Sequence, residues 1–125
     1  MIDVLLVDDH ALVRSGLSLL MESADDVQVV GEAADGPRAV ELVQSLEPDV
    51  VLMDLSMPGM DGVEATREVL RVRPDSVVVV LTSFSDQPRV TDALRAGAVG
   101  YMLKDCDPND LIAAVRSAAD GHAPL

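Results

Sequence analysis

The chain has few aromatic residues, a single cysteine and few basic residues, and each shortage excludes a class of protein. Phe84 and Tyr101 are the only aromatic residues among 125, so the core must be aliphatic. Cys106 is the only cysteine, so no disulfide can form within the chain and a reducing compartment is favoured. Nine basic residues against 22 acidic ones give a net charge of −13, which repels nucleic-acid phosphates. We therefore expect no nucleic-acid binding by this segment alone.

Long apolar segments and a basic leader are also missing. No apolar run approaches the roughly 18–20 residues that cross a bilayer, and no basic segment precedes an apolar stretch after Met1. The expectation is a cytoplasmic protein without a membrane segment. Hydrophobic residues make up 49% of the chain, which favours a folded core over disorder. A length of 125 residues suits one domain.

Five short apolar runs recur every 22 to 27 residues along the chain. They are residues 2–7, 27–30, 50–53, 77–81 and 99–103. The spacing leaves room for a strand, a helix and a return loop in each repeat, and apolar residues at helical spacing fill the stretches between them. The pattern predicts an α/β fold of five βα units, in which helices cover both faces of a parallel five-stranded sheet as a three-layer sandwich.

The composition of the runs predicts the order of the strands. Residues 4–7 and the third and fourth runs contain no polar residue, as expected of strands that are covered on both faces. The second and fifth runs are interrupted by Gln28 and Gly100. Placing these two strands at the edges gives the flavodoxin-like order 2-1-3-4-5.

Helix boundaries are also marked in the sequence. Asp61 and Asp107 are plausible N-caps, and Pro88 suits the first turn of the fourth helix. Gly97 and Gly121 suit helix ends.

Polar side chains stand at the carboxyl ends of four of the five predicted strands. Asp8 and Asp9 follow the first strand, Asp54 the third, Thr82 the fourth and Lys104 the fifth. Open parallel sheets bind ligands at this edge. Because neighbouring strands lie about 4.8 Å apart, the acids of the first and third strands can share one small ion, and the flexible Lys104 can reach across the fourth strand to Asp54. An all-oxygen cluster without histidine or cysteine favours Mg²⁺.

These residues resemble the receiver domain of bacterial two-component response regulators. The resemblance rests on Asp8-Asp9, residues 51–62 (VLMDLSMPGMDG), residues 81–83 (LTS) and Lys104. It runs from residue 2 to about residue 121, nearly the whole chain. Residues 51–62 are the most specific part of it.

Three shorter phrases resemble the NarL/FixJ subfamily. They are VDDH at residues 7–10, ALRAGA at 93–98 and YMLKD at 101–105. In that subfamily the receiver usually precedes a LuxR-type helix-turn-helix domain. The resemblance implies a receiver domain over residues 1–121 and the start of a linker at 122–125. Contact with DNA is then expected only through a C-terminal domain outside this chain.

The resemblance implies an acceptor and a metal site. Asp54 is expected to take a phosphoryl group from the phosphohistidine of a sensor histidine kinase. Mg²⁺ would be bound directly by Asp9, Asp54 and the main-chain carbonyl of Ser56, and by Asp8 directly or through water. The domain would catalyse only its own phosphorylation and dephosphorylation, and so would not be an enzyme in the usual sense.

The resemblance also implies a switch. Lys104 would pair with one phosphoryl oxygen, Thr82 would hydrogen-bond another after a conformational shift, and Tyr101 would turn inward as Thr82 moves. The shift would control a transcriptional output domain, with a homodimer on phosphorylation as one route. Candidate dimer surfaces are the last helix with the first, or the fourth helix with the fifth strand and fifth helix.

Two further residues are expected to affect hydrolysis of the phosphoryl group. Ser56 and Phe84 stand two residues after the acceptor aspartate and after the fourth-strand threonine. We hypothesise that they flank the path of the attacking water and set the lifetime of the phosphoryl group.

His10 and His122 lack metal-ligand spacing to each other and to Cys106, and are expected to be surface residues.

Two other functions are alternatives to the switch. An aspartate-nucleophile phosphohydrolase typically needs an acid two residues after its nucleophile as general acid, and Ser56 stands there. A receiver-shaped scaffold that works without phosphorylation usually lacks an acid, the hydroxyl or the lysine, and here all are present.

Overall fold

Strands and helices alternate regularly along the chain in the computed structural model, which describes residues 1–121 apart from the side chains of residues 84–86. The strands of this part are β1 (Ile2–Val7), β2 (Val27–Ala33), β3 (Val50–Asp54), β4 (Val78–Thr82) and β5 (Gly100–Leu103). The helices are α1 (Ala11–Glu22), α2 (Gly36–Leu46), α3 (Gly62–Val72), α4 (Val90–Ala96) and α5 (Pro108–Ala119). Each strand starts within one residue of its predicted position. None of the described helices is both long and apolar enough to cross a bilayer.

All five strands are parallel and lie in the order β2-β1-β3-β4-β5, which confirms the flavodoxin-like prediction. The register aligns their carboxyl ends. Val7 lies opposite Met53 across β1 and β3, and Thr82 lies opposite Leu103 across β4 and β5. The residues that follow β1, β3 and β5 therefore emerge at one edge of the sheet.

The core consists of two apolar layers, one on each face of the sheet. Side chains such as Leu5 and Val51 point to the layer formed with α2, α3 and α4. Alternate side chains such as Leu6 and Leu52 point to the layer formed with α1 and α5. Because the central strands bury both faces, residues 4–7, 50–53 and 78–81 of these strands are all apolar.

Most of the predicted helix boundaries agree with the structure. Asp61 accepts a hydrogen bond from the main-chain N–H of Glu64 at 3.0 Å, and Asp107 caps α5 in the same way. Gly97 ends α4 with a φ of 118°, a conformation that favours glycine.

The prediction for Pro88 is wrong. Pro88 lies in a 3-10 helical segment, Phe84–Arg89, and α4 begins two residues later at Val90. Proline has no amide hydrogen and its ring collides with the preceding turn, so a regular α-helix does not run through this position.

The two-layer core gives a matched test of packing. Leu6 is completely buried, whereas Leu12 on α1 is 88% exposed. Leu6→Ala is expected to lower the free energy of unfolding by about 2–5 kcal/mol, while Leu12→Ala should change it by less than about 0.5 kcal/mol. Urea unfolding followed by circular dichroism measures both. Equal losses from the two substitutions would contradict the assignment of the core.

Candidate functional site

Three carboxylates meet at the carboxyl edge of the sheet. Asp8 and Asp9 follow β1, and Asp54 is the last residue of β3. One ligand atom from each, together with one from His10, lies within 4.8 Å of all the others. Asp8 and Asp54 are each only 1% exposed. The clustering of acids that the sequence predicts is therefore present, in a largely buried setting.

The pleat of the strands explains which side chains meet. Alternate residues of a strand face the same side of the sheet. Asp8, Asp54 and Lys104 each lie two residues after a side chain that faces α1 and α5, so they share that face. These side chains are Leu6, Leu52 and Met102. Thr82 is in phase with Val80, which faces the opposite layer. Asp8, Asp54 and the lysine thus start on one face of the sheet, and the threonine hydroxyl starts on the other.

Lys104 spans the distance from β5 to the acids, as its position predicts. Its Nζ lies 3.0 Å from Asp54 Oδ1 and 3.4 Å from Asp8 Oδ2. The main-chain N–H of Lys104 donates to the carbonyl of Thr82 at 2.9 Å, which ties the end of β5 to β4. Asp54 Oδ1 also accepts a hydrogen bond from the N–H of Ser56 at 3.2 Å. One oxygen of Asp54 is thus held by a cation and an amide.

Burial and charge shift the titration of this pair. Burial raises the pKa of the Asp54 carboxyl above its ordinary value and the charge of Asp8 adds to the rise, while the hydrogen bond and charge of Lys104 oppose it. For Lys104, burial lowers the pKa, but the hydrogen bonds and charges of Asp54 and Asp8 outweigh this and raise it overall. Lys104 therefore remains an ammonium ion at neutral pH.

Each of the three acids keeps one buried oxygen that accepts no well-aligned hydrogen bond from the described residues, although Lys104 Nζ lies 3.4 Å from that of Asp8 and His10 Nδ1 lies 3.1 Å from that of Asp9. These atoms are Asp8 Oδ2, Asp9 Oδ1 and Asp54 Oδ2. Buried carboxylate oxygens without donors are costly, and such atoms normally point to a ligand. A hard divalent cation accepts oxygen ligands of this kind. The three carboxylates therefore fit such an ion.

His10 is a neighbour of the acids that the sequence analysis missed. Its side chain is 66% exposed, as expected of a surface residue, but its Nδ1 lies 3.1 Å from Asp9 Oδ1 and 3.4 Å from Asp8 Oδ1. Its main-chain N–H donates to Asp8 Oδ1 at 2.8 Å. This contact could have been predicted from the position of His10 directly after the two acids, but not from its spacing to other metal-ligand residues. His122 lies outside the described residues.

The two residues assigned to the switch lie near β4. Thr82 is completely buried, and its Oγ1 donates to the carbonyl of Ser83 at 3.0 Å. Tyr101 is half-buried, lies opposite Val80 in the sheet and packs against the α2–α4 layer. Thr82 and Tyr101 therefore belong to the same face of the sheet, which the proposed coupling between them requires.

The loop positions near Asp54 are partly described. Ser56 is exposed and contacts Asp54 through its N–H. Metal binding by the main-chain carbonyl of Ser56 stays a prediction. Phe84 begins the 3-10 segment, but its side chain lies outside the described residues.

Gly62 is a second residue that the sequence analysis did not connect to the site. A Cβ atom at this position would lie 2.3 Å from the carbonyl oxygen of Asp54 and 2.6 Å from the Cα of Leu55, too close for any other residue. The Gly62 N–H donates to the carbonyl of Leu55 at 3.0 Å. The start of α3 therefore rests directly on the backbone that carries Asp54.

Comparison with known proteins gives consistent matches. The sequence pattern described as the response regulator receiver domain matches residues 4–116. The transcriptional regulatory protein LiaR of Bacillus subtilis (strain 168) is 46% identical over 125 residues, which cover 100% of this chain and 59% of LiaR. The nitrate/nitrite response regulator protein NarL of Escherichia coli (strain K12) is 42% identical over 122 residues, covering 98% of this chain and 56% of NarL. The chain thus spans less than two thirds of these relatives.

A solved structure matches over the same length. The crystal structure of a two-component response regulator of the LuxR family from Aurantimonas sp. SI85-9A1 superposes with a TM-score of 0.92 and 36% sequence identity. The match covers 97% of this chain and 86% of that one. The fold is therefore shared with a two-component response regulator.

The buried acid of this site leads to a prediction about stability. Because the pKa of Asp54 is raised by folding, the folded state binds a proton more readily than the unfolded chain, so stability falls as the pH rises through that pKa. Asp54→Asn removes the buried charge and is expected to raise the Tm of the metal-free domain near neutral pH by roughly 3–6 °C. The gain should shrink as the pH falls toward the ordinary carboxyl range.

Thermal unfolding in EDTA over a series of pH values measures this difference. Asp25→Asn is the matched control, because Asp25 is an exposed aspartate outside the site. A Tm for Asp54→Asn that stays below that of the unsubstituted domain at every pH would contradict the account.

Proposed function

The chain belongs to the receiver domain family of response regulators, in its NarL/FixJ branch, and on that basis we propose that it is a switch in which Asp54 is the phosphoacceptor. The observation that carries the proposal is the arrangement around Asp54. One oxygen is held by Lys104 at 3.0 Å, and the other is buried without a hydrogen bond from the described residues. This is a carboxylate prepared to receive an electrophile next to a cation.

The reaction is a phosphoryl transfer between two groups. A carboxylate oxygen of Asp54 forms a bond to phosphorus while the bond from phosphorus to the nitrogen of a phosphohistidine breaks, and the electron pair leaves with the imidazole. The proposed donor is a sensor histidine kinase. A carboxylate is a weak nucleophile, so the site must contribute positioning and charge neutralisation.

The metal site follows from the buried oxygens. Asp8, Asp9 and Asp54 would hold Mg²⁺, with the main-chain carbonyl of Ser56 as a further ligand. When bound, Mg²⁺ neutralises charge on the transferred phosphoryl group. The fit rests on the clustering of the three carboxylates and on the buried Asp54 Oδ2, which has neither a hydrogen bond nor an ion pair in the described part of the chain.

Lys104 has two positions in this account. Without a phosphoryl group it pairs with Asp54 and Asp8. Phosphorylation replaces the single negative charge of the Asp54 carboxylate with about two on the phosphoryl oxygens, and the flexible ammonium moves to a phosphoryl oxygen. The raised pKa of Lys104 keeps it charged for both contacts.

The conformational response involves Thr82 and Tyr101. To reach a phosphoryl oxygen, Thr82 must give up its hydrogen bond to the carbonyl of Ser83 and turn from the face that it shares with Val80. The space that it leaves lies on the face against which Tyr101 packs. Inward movement of Tyr101 would then change the surface around β5, as a shift between two populated states.

The wider role is proposed from the relatives. LiaR and NarL are named as regulators and are longer than this chain. We place the receiver at residues 1–121 of a cytoplasmic transcription regulator whose DNA contacts lie in a separate LuxR-type domain. The receiver would catalyse only its own phosphorylation and dephosphorylation. Homodimerisation on phosphorylation is the proposed link between the two domains.

Intact mass spectrometry tests the acceptor directly. After incubation with acetyl phosphate and Mg²⁺, the protein should gain the mass of one phosphoryl group, and it should gain none when EDTA replaces Mg²⁺. Asp54→Asn should abolish the gain, while Asp25→Asn should keep it. Phosphorylation of Asp54→Asn, or phosphorylation that ignores Mg²⁺, would contradict the proposal. Rapid multiple turnover of small phosphate esters would favour a phosphohydrolase instead.

A further inference from the structure

Arg14 on α1 reaches back to the end of β1. Its Nη1 donates to the main-chain carbonyl of Asp8 at 2.6 Å, and its Nε donates to Glu32 Oε1 at 3.2 Å. Its side chain is only 19% exposed. Glu32 is the penultimate residue of β2, so one guanidinium joins α1 to the ends of two neighbouring strands.

The carbonyl that Arg14 binds belongs to the peptide group between the two acids. A hydrogen bond to that oxygen fixes the plane of the Asp8–Asp9 peptide, and the plane sets the direction of the Asp9 side chain. Asp8 has further restraints, because its N–H donates to the carbonyl of Ala33 at 3.1 Å and its Oδ1 accepts from His10. For Asp9, the buried Oδ1 lies 3.1 Å from Nδ1 of the exposed His10 but accepts no hydrogen bond from the described residues, so the main chain contributes much of its positioning.

We propose that Arg14, oriented by Glu32, is a positioning residue that holds Asp8 and Asp9 in the geometry that binds the divalent cation. The inference rests on the proposed function, since it concerns the same metal site. Arg14 does not touch the cation or the phosphoryl group; it acts through the peptide that carries the two acids.

The chemistry of arginine suits this task. A guanidinium offers several N–H groups in a rigid plane and can serve two acceptors in a fixed geometry, whereas the ammonium of lysine is a single flexible point charge. Fixing the groups behind metal ligands is a general way to tune metal affinity, and loss of such a contact typically costs 10–100-fold in affinity.

Calorimetric titration of MgCl₂ into the metal-free protein tests the inference. Arg14→Gln is expected to raise the Kd for Mg²⁺ about tenfold. Arg14→Lys should also weaken binding, because it keeps the charge but loses the two-pronged contact. Glu32→Ala should raise the Kd for Mg²⁺ by a smaller factor. Because Glu32 is exposed, this variant still tests the inference if the Arg14 variants fail to fold. Arg71→Gln is the matched control, since Arg71 forms an exposed ion pair with Glu68 in the last turn of α3, and it is the first turn of that helix that contacts Asp54.

A purely structural role for Arg14 gives a different result. It would lower the Tm of the metal-free protein and leave the Kd for Mg²⁺ unchanged, so both quantities are measured for each variant. An unchanged Kd in Arg14→Gln, or full rescue by Arg14→Lys, overturns the inference while leaving the proposed function intact. Absence of Mg²⁺ binding by the unsubstituted protein overturns the proposed metal site itself, and this inference with it.

Discussion

The charge imbalance between three clustered carboxylates and Lys104 is the constraint on which the site depends. Asp54 is 1% exposed and its pKa is raised, chiefly because burial disfavours its ionised form. The ammonium of Lys104 relieves part of this cost at 3.0 Å. What remains is an excess of buried negative charge that a divalent cation can offset. Because of the same excess, any cation or phosphoryl group that enters the site strongly changes the electrostatic energy of the carboxylates and Lys104.

The sheet and its two core layers position these charged side chains. Parallel strands in aligned register deliver Asp8, Asp54 and Lys104 to one edge, and two apolar layers hold the strands in place. Close contacts behind the acids add precision: Gly62 lets α3 rest on the backbone of Asp54, and Arg14 binds the carbonyl of Asp8. The stability of the core thus supports a site whose own charges oppose folding.

The fold was predictable because its signals are local and repeated. The uninterrupted apolar residues 78–81 mark a central strand, and the polar residues at the carboxyl ends of β1, β3 and β5 indicate one edge of the sheet. Contacts that depend on the angle of a helix were not predictable. Nothing in the spacing of Arg14 shows that it reaches the end of β1, and nothing around Gly62 shows how closely α3 approaches β3. Pro88 did not indicate the first turn of α4, because proline is compatible with the turns of a 3-10 segment as well as with the first turn of an α-helix.

The most direct measurement is the position of a divalent ion in crystals of this domain grown with MnCl₂. Mn²⁺ prefers the same oxygen ligands as Mg²⁺ and can be located by its anomalous scattering. The account predicts an anomalous peak at the carboxyl edge of the sheet, within direct bonding distance of the carboxylates of Asp9 and Asp54. A fully occupied Mn²⁺ site elsewhere, with no peak beside Asp54, would contradict it.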